Sequence, residues 1–143
     1  MDKLLISACL LGIPCRYDGK SKPLAAISRL REKYELIPVC PEQLGGLPTP
    51  RNPSERRDDR VVMADGTDVT AQYQKGAHAA LELYQREGCV AAVLKERSPS
   101  CGSGEIYDGT FTRSLVVGDG VTAELLKKNG VKVYGESELD ALL

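Results

Sequence analysis

The chain has 143 residues, is 42% hydrophobic and 27% charged, and carries 19 Lys+Arg against 20 Asp+Glu for a formal charge of -1. Those figures fit one globular domain, spanning residues 1–143, and exclude a disordered chain or a broadly basic nucleic-acid or membrane binder. Trp is absent and aromatics make up only 5%, so stacking platforms for bases are expected to be scarce, and the single histidine, His78, rules out a metal site built on several imidazoles.

In chain order, residues 3–9 form a short apolar run that suits a buried strand ending at Cys9. Residues 23–34 place Leu24, Ile27, Leu30 and Tyr34 at helical spacing, with Pro23 suited to a first turn. Residues 35–40 are a second apolar run ending at Cys40. Residues 41–60 hold four prolines, Gly45-Gly46 and a mixed-charge tract, and read as one long loop of the kind that is functional or disordered. The tract Arg56-Arg57-Asp58-Asp59-Arg60 within it reads as a solvated face. Val61 to Met63 suggests a short strand, with a turn at Asp65-Gly66. Residues 70–87 are the best helix, capped by Asp68 or Thr70 and ended by Gly88, with His78 beside its apolar stripe. Residues 89–94 are a third strand. Residues 105–112 resemble a hairpin turning at Asp108-Gly109. Residues 121–129 form a helix ended by Gly130, residues 131–134 a last strand, and Ser137 caps a short final helix.

Strands alternating with amphipathic helices predict an α/β fold: a Rossmann-like three-layer sandwich on a mostly parallel sheet, with a small β-hairpin. In such a sheet, ligands bind at the carboxyl ends of the strands. Cys9, Cys40 and Cys101 follow three of the four strands, so they can meet there although they are far apart in sequence. Three thiolates without a nearby histidine suit a mononuclear zinc site poorly and an iron–sulfur cluster well. Glu42 is two residues beyond Cys40, within reach of the same pocket as a general base. Ser98 and Ser100 flank Pro99 just before Cys101. Arg16, Asp18, Arg51 and Lys95 lie near the same strand ends as candidates for orienting a polar substrate. The plainer reading of these charges is a solvated loop, and Cys89, directly before a valine-rich strand, reads as core.

The apolar stretch at Met1 to Leu11 is too short for a signal peptide or a membrane span, so a cytoplasmic protein is expected, where thiols stay reduced. Five cysteines also argue against a complete disulfide framework.

Ser7-Ala8-Cys9-Leu10-Leu11-Gly12 and Cys15-Arg16-Tyr17-Asp18-Gly19 open a set of motifs. Val39-Cys40-Pro41-Glu42, Gly45-Gly46-Leu47-Pro48, Pro50-Arg51, and Lys95 with Ser98-Pro99-Ser100-Cys101-Gly102 continue it. Together they resemble a bacterial family catalogued as domain of unknown function 523, over essentially the whole chain. Its members include thiouracil desulfurases. The resemblance implies a [4Fe–4S] cluster on Cys9, Cys40 and Cys101, and a catalytic pair made by Glu42 and a serine of the Ser98–Ser100 turn, with Ser98 favoured. It implies the short form of the family, without an extra C-terminal domain. Cys15 belongs to the motif either as a structural residue or as a ligand when substrate is absent.

The expected reaction is non-redox desulfuration of a small thiolated base, such as 2-thiouracil to uracil and sulfide. The iron without a protein ligand acts as Lewis acid and sulfur acceptor, and Glu42 activates water. A monomer or homodimer is expected, with no nucleic-acid polymer and no membrane as partner. The competing reading is a non-catalytic iron–sulfur or metal-binding module, a sulfur carrier or sensor.

Overall fold

The structure, a computed structural model, describes residues 1–21 and 23–143. Four strands form its central sheet: β1 (Asp2–Ser7), β2 (Tyr34–Val39), β5 (Ala91–Leu94) and β8 (Val133–Gly135). Their order is β2-β1-β5-β8, and every pairing is parallel. The sheet thus reads outward in both directions from the boundary between β1 and β5, and a crevice opens at the carboxyl ends of those two strands.

Alternation along the strands builds the three layers. Leu4 and Ile6 of β1 and Ala91 and Val93 of β5 face one side. There they pack with Leu30 of helix α1 (Ile27–Lys33) and with Leu139 and Leu142 at the C-terminus. Leu5, Ala92 and Leu94 face the other side. Their partners are Ala80 of α3 (Thr70–Glu87) and Ala123 and Leu126 of α4 (Val121–Lys128). Leu4, Leu5, Ile6, Val93 and Leu94 are fully buried, each burial contributing roughly 1.5–3 kcal/mol, so β1 and β5 are the strands least able to shift. Pro38 lies in β2, an edge strand, where its missing N–H breaks no ladder on the open side.

Several boundaries differ from the sequence expectations. Cys9 does not end a strand but lies in a 3-10 turn over Ala8–Leu11. The first helix starts at Ile27, not residue 23, because the Leu24 N–H is taken by the Leu10 carbonyl at 3.0 Å. Residues 41–60 are not one loop. They contain a short helix α2 (Pro41–Leu44) and β3 (Ser54–Arg57), which pairs antiparallel with β4 (Arg60–Met63). The charged tract is the tip of that hairpin and is not simply solvated. Arg56 binds the Asp119 carbonyl and pairs with Glu124 at 2.7 Å, anchoring the hairpin to the start of α4.

A second hairpin joins β6 (Glu105–Tyr107) to β7 (Leu115–Val117), and its turn spans residues 108–114 instead of two residues at Asp108-Gly109. No side chain caps α3; Asp68 instead accepts the Thr70 N–H. Gly88 ends α3 in the left-handed conformation, as expected. Ser137 does not cap the final turn. Its hydroxyl donates to Glu96. His78 is exposed and Cys89 is buried in the core.

Candidate active site

A cavity of about 530 Å³ opens at the carboxyl edge of the sheet. Its floor is set by the join between β1 and β5, where the Lys95 N–H donates to the Ser7 hydroxyl at 2.9 Å. Cys9, Cys15, Cys40 and Cys101 all line it, as do Glu42, Ser98, Arg16, Arg51 and Lys95. Two expected residues do not. Asp18 is exposed and holds its own turn through the Lys20 N–H. Ser100 is fully buried beneath the wall, its hydroxyl 2.8 Å from that of Thr122.

Each thiol has a local reason for its place. Cys40 is the residue before helix α2, with Pro41 in the first helical position. Helix α2 has only four residues, so it depends on packing to stay formed. Gly45 and Gly76 supply that packing. A Cβ on Gly45 would strike the Gln72 carbonyl, and one on Gly76 would strike the Pro41 carbonyl, so the two backbones meet with no side chain between them. This contact clamps Cys40 and Glu42 onto α3. Cys101 sits in a turn organised by Ser98, whose hydroxyl accepts the N–H groups of Ser100 at 3.0 Å and Cys101 at 3.1 Å. Its thiol donates toward the Ser100 hydroxyl at 3.8 Å. Cys15 lies within hydrogen-bonding reach of both Cys9 and Cys40, and the Cys40 thiol donates to the Cys15 carbonyl at 3.7 Å.

Arg51 is buried and organises one wall. One of its nitrogens lies 3.1 Å from Glu42 Oε2 and 3.3 Å from the Cys15 carbonyl, and the other binds the Pro48 carbonyl and Thr49 hydroxyl. It therefore orients the Glu42 carboxylate and the Cys15 segment rather than standing free. Lys95 is similarly committed, to Glu136 at 2.9 Å and the Glu96 carbonyl.

The electrostatics favour neutral thiols when no cation is present. Burial, then the Glu42 charge, pushes the Cys101 thiol up. The hydrogen bond with Cys15, then burial and Glu42, raises Cys40. Cys15 is pulled down by Cys40, but its bond with Cys9 and its burial outweigh that and leave it at about 11. Cys15, Cys40 and Cys101, held neutral beside a carboxylate, make a poor anion trap, and together with Cys9 they offer thiols that a soft cationic centre would deprotonate. Among the described residues, no three His, Cys, Asp or Glu side chains converge on a point as ligands of one metal ion.

Some lining residues were not among the sequence candidates for the site. Tyr17, Tyr73, Tyr107 and Phe111 all line the cavity, four of the chain's seven aromatic residues. The low aromatic content was a poor guide, because folding gathers those few around one site. Glu55 was also missed. It sits in a strand that the sequence presented as loop, and it reaches the cavity from β3.

Parallel α/β enzymes bind their ligands in a crevice at the strand-order reversal, and this cysteine-lined cavity lies there. Residues 4–138 match the 2-thiouracil desulfurase family, and the chain belongs to that family. It is 42% identical over 150 residues to the uncharacterized protein YbbK of Bacillus subtilis (strain 168), covering 98% of this chain and 99% of that protein. A solved structure of a [4Fe-4S]-dependent thiouracil desulfidase, TudS, superposes with a TM-score of 0.94 at 46% identity, covering 99% of this chain and 95% of the other. Among the described residues, no helix is long and apolar enough to cross a membrane.

Proposed function

We propose that this protein removes sulfur from a small thiolated base such as 2-thiouracil, taking up water and releasing uracil and sulfide, with no net redox change. The observation that carries this reading is the convergence of Cys9, Cys40, Cys101 and Glu42 on one cavity of about 530 Å³. In this reading Cys9, Cys40 and Cys101 hold a [4Fe–4S] cluster, and Cys15 lies beside them. When bound, such a cluster would supply Lewis acidity toward the C=S bond and a soft site for the departing sulfur.

The chain's own groups do the rest. Glu42, with Oε2 held by Arg51, takes a proton from the attacking water at its other oxygen. In this reading Ser98, which lines the same cavity, hands that proton on, while its oxygen accepts the N–H groups that close the Cys101 turn. The aromatic side chains exclude bulk water and flank a flat ring. Arg16 and Lys95 stand at the cavity as polar contacts for the base. Residues 1–143 act as one desulfurase-like α/β unit in the cytoplasm, as a monomer or homodimer, on a free base and not on a nucleic-acid polymer.

Anaerobic reconstitution followed by assay of 2-thiouracil loss and sulfide release tests the reading. Glu42→Gln is expected to keep the cluster absorbance and lose at least a hundredfold in kcat. Full cluster loading with no action on any of several thiolated bases would overturn the substrate assignment. Unchanged turnover in Glu42→Gln would remove Glu42 from catalysis. Cluster loading unchanged by Cys9→Ala, Cys40→Ala and Cys101→Ala would remove the ligand assignment.

A further inference from the structure

The two hairpins meet at Glu55. Its Oε1 accepts two backbone N–H groups of the 108–114 turn, from Gly109 at 3.0 Å and Phe111 at 3.1 Å. Arg57, two residues along the same strand, donates to the Gly109 carbonyl at 2.6 Å. The contact is so close that a Cβ on Gly109 would strike the Arg57 side chain. Phe111 and Arg113 adopt φ of 60° and 62°, which non-glycine residues take up only when held there. The clasp holds them, and it sets Phe111 into the cavity wall.

One oxygen of Glu55 does all this work. Among the described residues, its Oε2 has neither a hydrogen-bond donor nor a cation, although the side chain is buried and lines the cavity. Oε2 is reached by solvent rather than enclosed by protein, so it is an acceptor at the cavity open to a donor on a ligand. Of the cavity's other carboxylates, Glu42 already has its guanidinium and Glu96 accepts from the Ser137 N–H and hydroxyl.

We infer that Glu55 is a specificity-determining residue whose free oxygen accepts a ring N–H of the substrate, so that the site selects cyclic thioamides with an unsubstituted nitrogen. The assignment deepens the desulfuration reading and rests on it. A thioamide N–H is a stronger donor than an ordinary amide N–H, and the bond to a carboxylate is charge-assisted. Phe111, fixed by the other oxygen of the same carboxylate, offers its face to the ring so addressed. Glu55 thus couples the aromatic wall to the polar contact. A base methylated at the nitrogen it reads loses the donor and gains bulk where the oxygen lies.

The variant Glu55→Gln separates the two roles. Its amide oxygen still accepts from Gly109 and Phe111, while its other end becomes a donor. The test uses anaerobically reconstituted wild type and Glu55→Gln with 2-thiouracil, 1-methyl-2-thiouracil and 3-methyl-2-thiouracil. It reads KM and kcat, calorimetric binding of each base, and the melting temperature. Wild type is expected to bind one N-methyl isomer at least tenfold more weakly than 2-thiouracil. Glu55→Gln is expected to bind 2-thiouracil at least tenfold more weakly, lose little further on that isomer, and melt within a degree or two of wild type. Equal binding of 2-thiouracil by the two proteins, or the same penalty for all three bases, overturns the assignment. Binding without desulfuration by wild type counts instead against the desulfuration reading, because the calorimetric comparison still reports on Glu55.

Discussion

Ser98 and Ser100 have the same chemistry and opposite surroundings. Ser98 lines the cavity and closes the Cys101 turn, whereas Ser100 is buried against Thr122. Ser100→Ala is expected to cost about 1–3 kcal/mol by leaving the Thr122 hydroxyl unpaired, and to change kcat less than threefold. Ser98→Ala is expected to cut kcat at least tenfold. Parallel denaturation and turnover measurements on the two variants separate the roles. Arg51 is a further case, since its guanidinium is buried against Glu42. Removing one partner of a buried pair costs about 3–5 kcal/mol, chiefly because the other charge is stranded. Arg51→Met is expected to lose that much in urea denaturation, and the double variant Glu42→Gln with Arg51→Met to regain a good part of it.

At the level of elements, the short helix α2 matters most, because it carries Glu42 and begins at Cys40. Its four residues have no independent stability, so its position is whatever the Gly45–Gly76 contact makes it. Gly76→Ala improves the intrinsic helix propensity of α3 by about 1 kcal/mol. The clash with the Pro41 carbonyl opposes that gain and wins, since backbone cannot move aside as a flexible side chain can. The expected result is a lower melting temperature together with loss of turnover and weaker cluster retention, measured on one preparation. A protein of higher melting temperature and full activity would show that α2 is held by other contacts. The two hairpins teach a related lesson. Glu55 and Arg57 act on the 108–114 turn from a strand whose sequence, Ser54-Glu55-Arg56-Arg57, has no alternation of apolar residues. Its strand character comes from the partner Arg60–Met63 and from Val61, which is fully buried.

Across the whole molecule, the parts legible in the sequence are those where burial is one-sided or complete. The apolar runs of β1 and β5, the stripe of α3 and the glycine that ends it predict the layers and the edge at which the thiols gather. The thiol positions follow from that edge. The strand order does not, because it depends on which runs pair, and periodicity within a run carries no such information. The remainder of the site is written in non-local contacts. Arg51 against Glu42, Glu55 against Phe111, and the aromatic wall join residues on different elements, and no pattern within either segment records the pairing.

The arrangement of the cysteines has a mechanical consequence. Residues 9, 40 and 101 leave different strands, so a group bound to all three closes loops of roughly 30 and 60 residues. A cross-link of that span restricts the unfolded chain by about 4 kcal/mol per loop on the chain-entropy account. The cofactor would thus be a rivet at the carboxyl edge of the sheet as well as a reagent. Reconstituted protein is expected to melt well above the cluster-free form, in anaerobic scanning calorimetry of the two. Cys101→Ala, by opening the longer loop, is expected to erase more of that difference than its own packing loss in the cluster-free form accounts for. A protein built this way resists unfolding most while it is loaded. Loss of a cluster held by these three thiols would then weaken the fold in the same event that ended its activity.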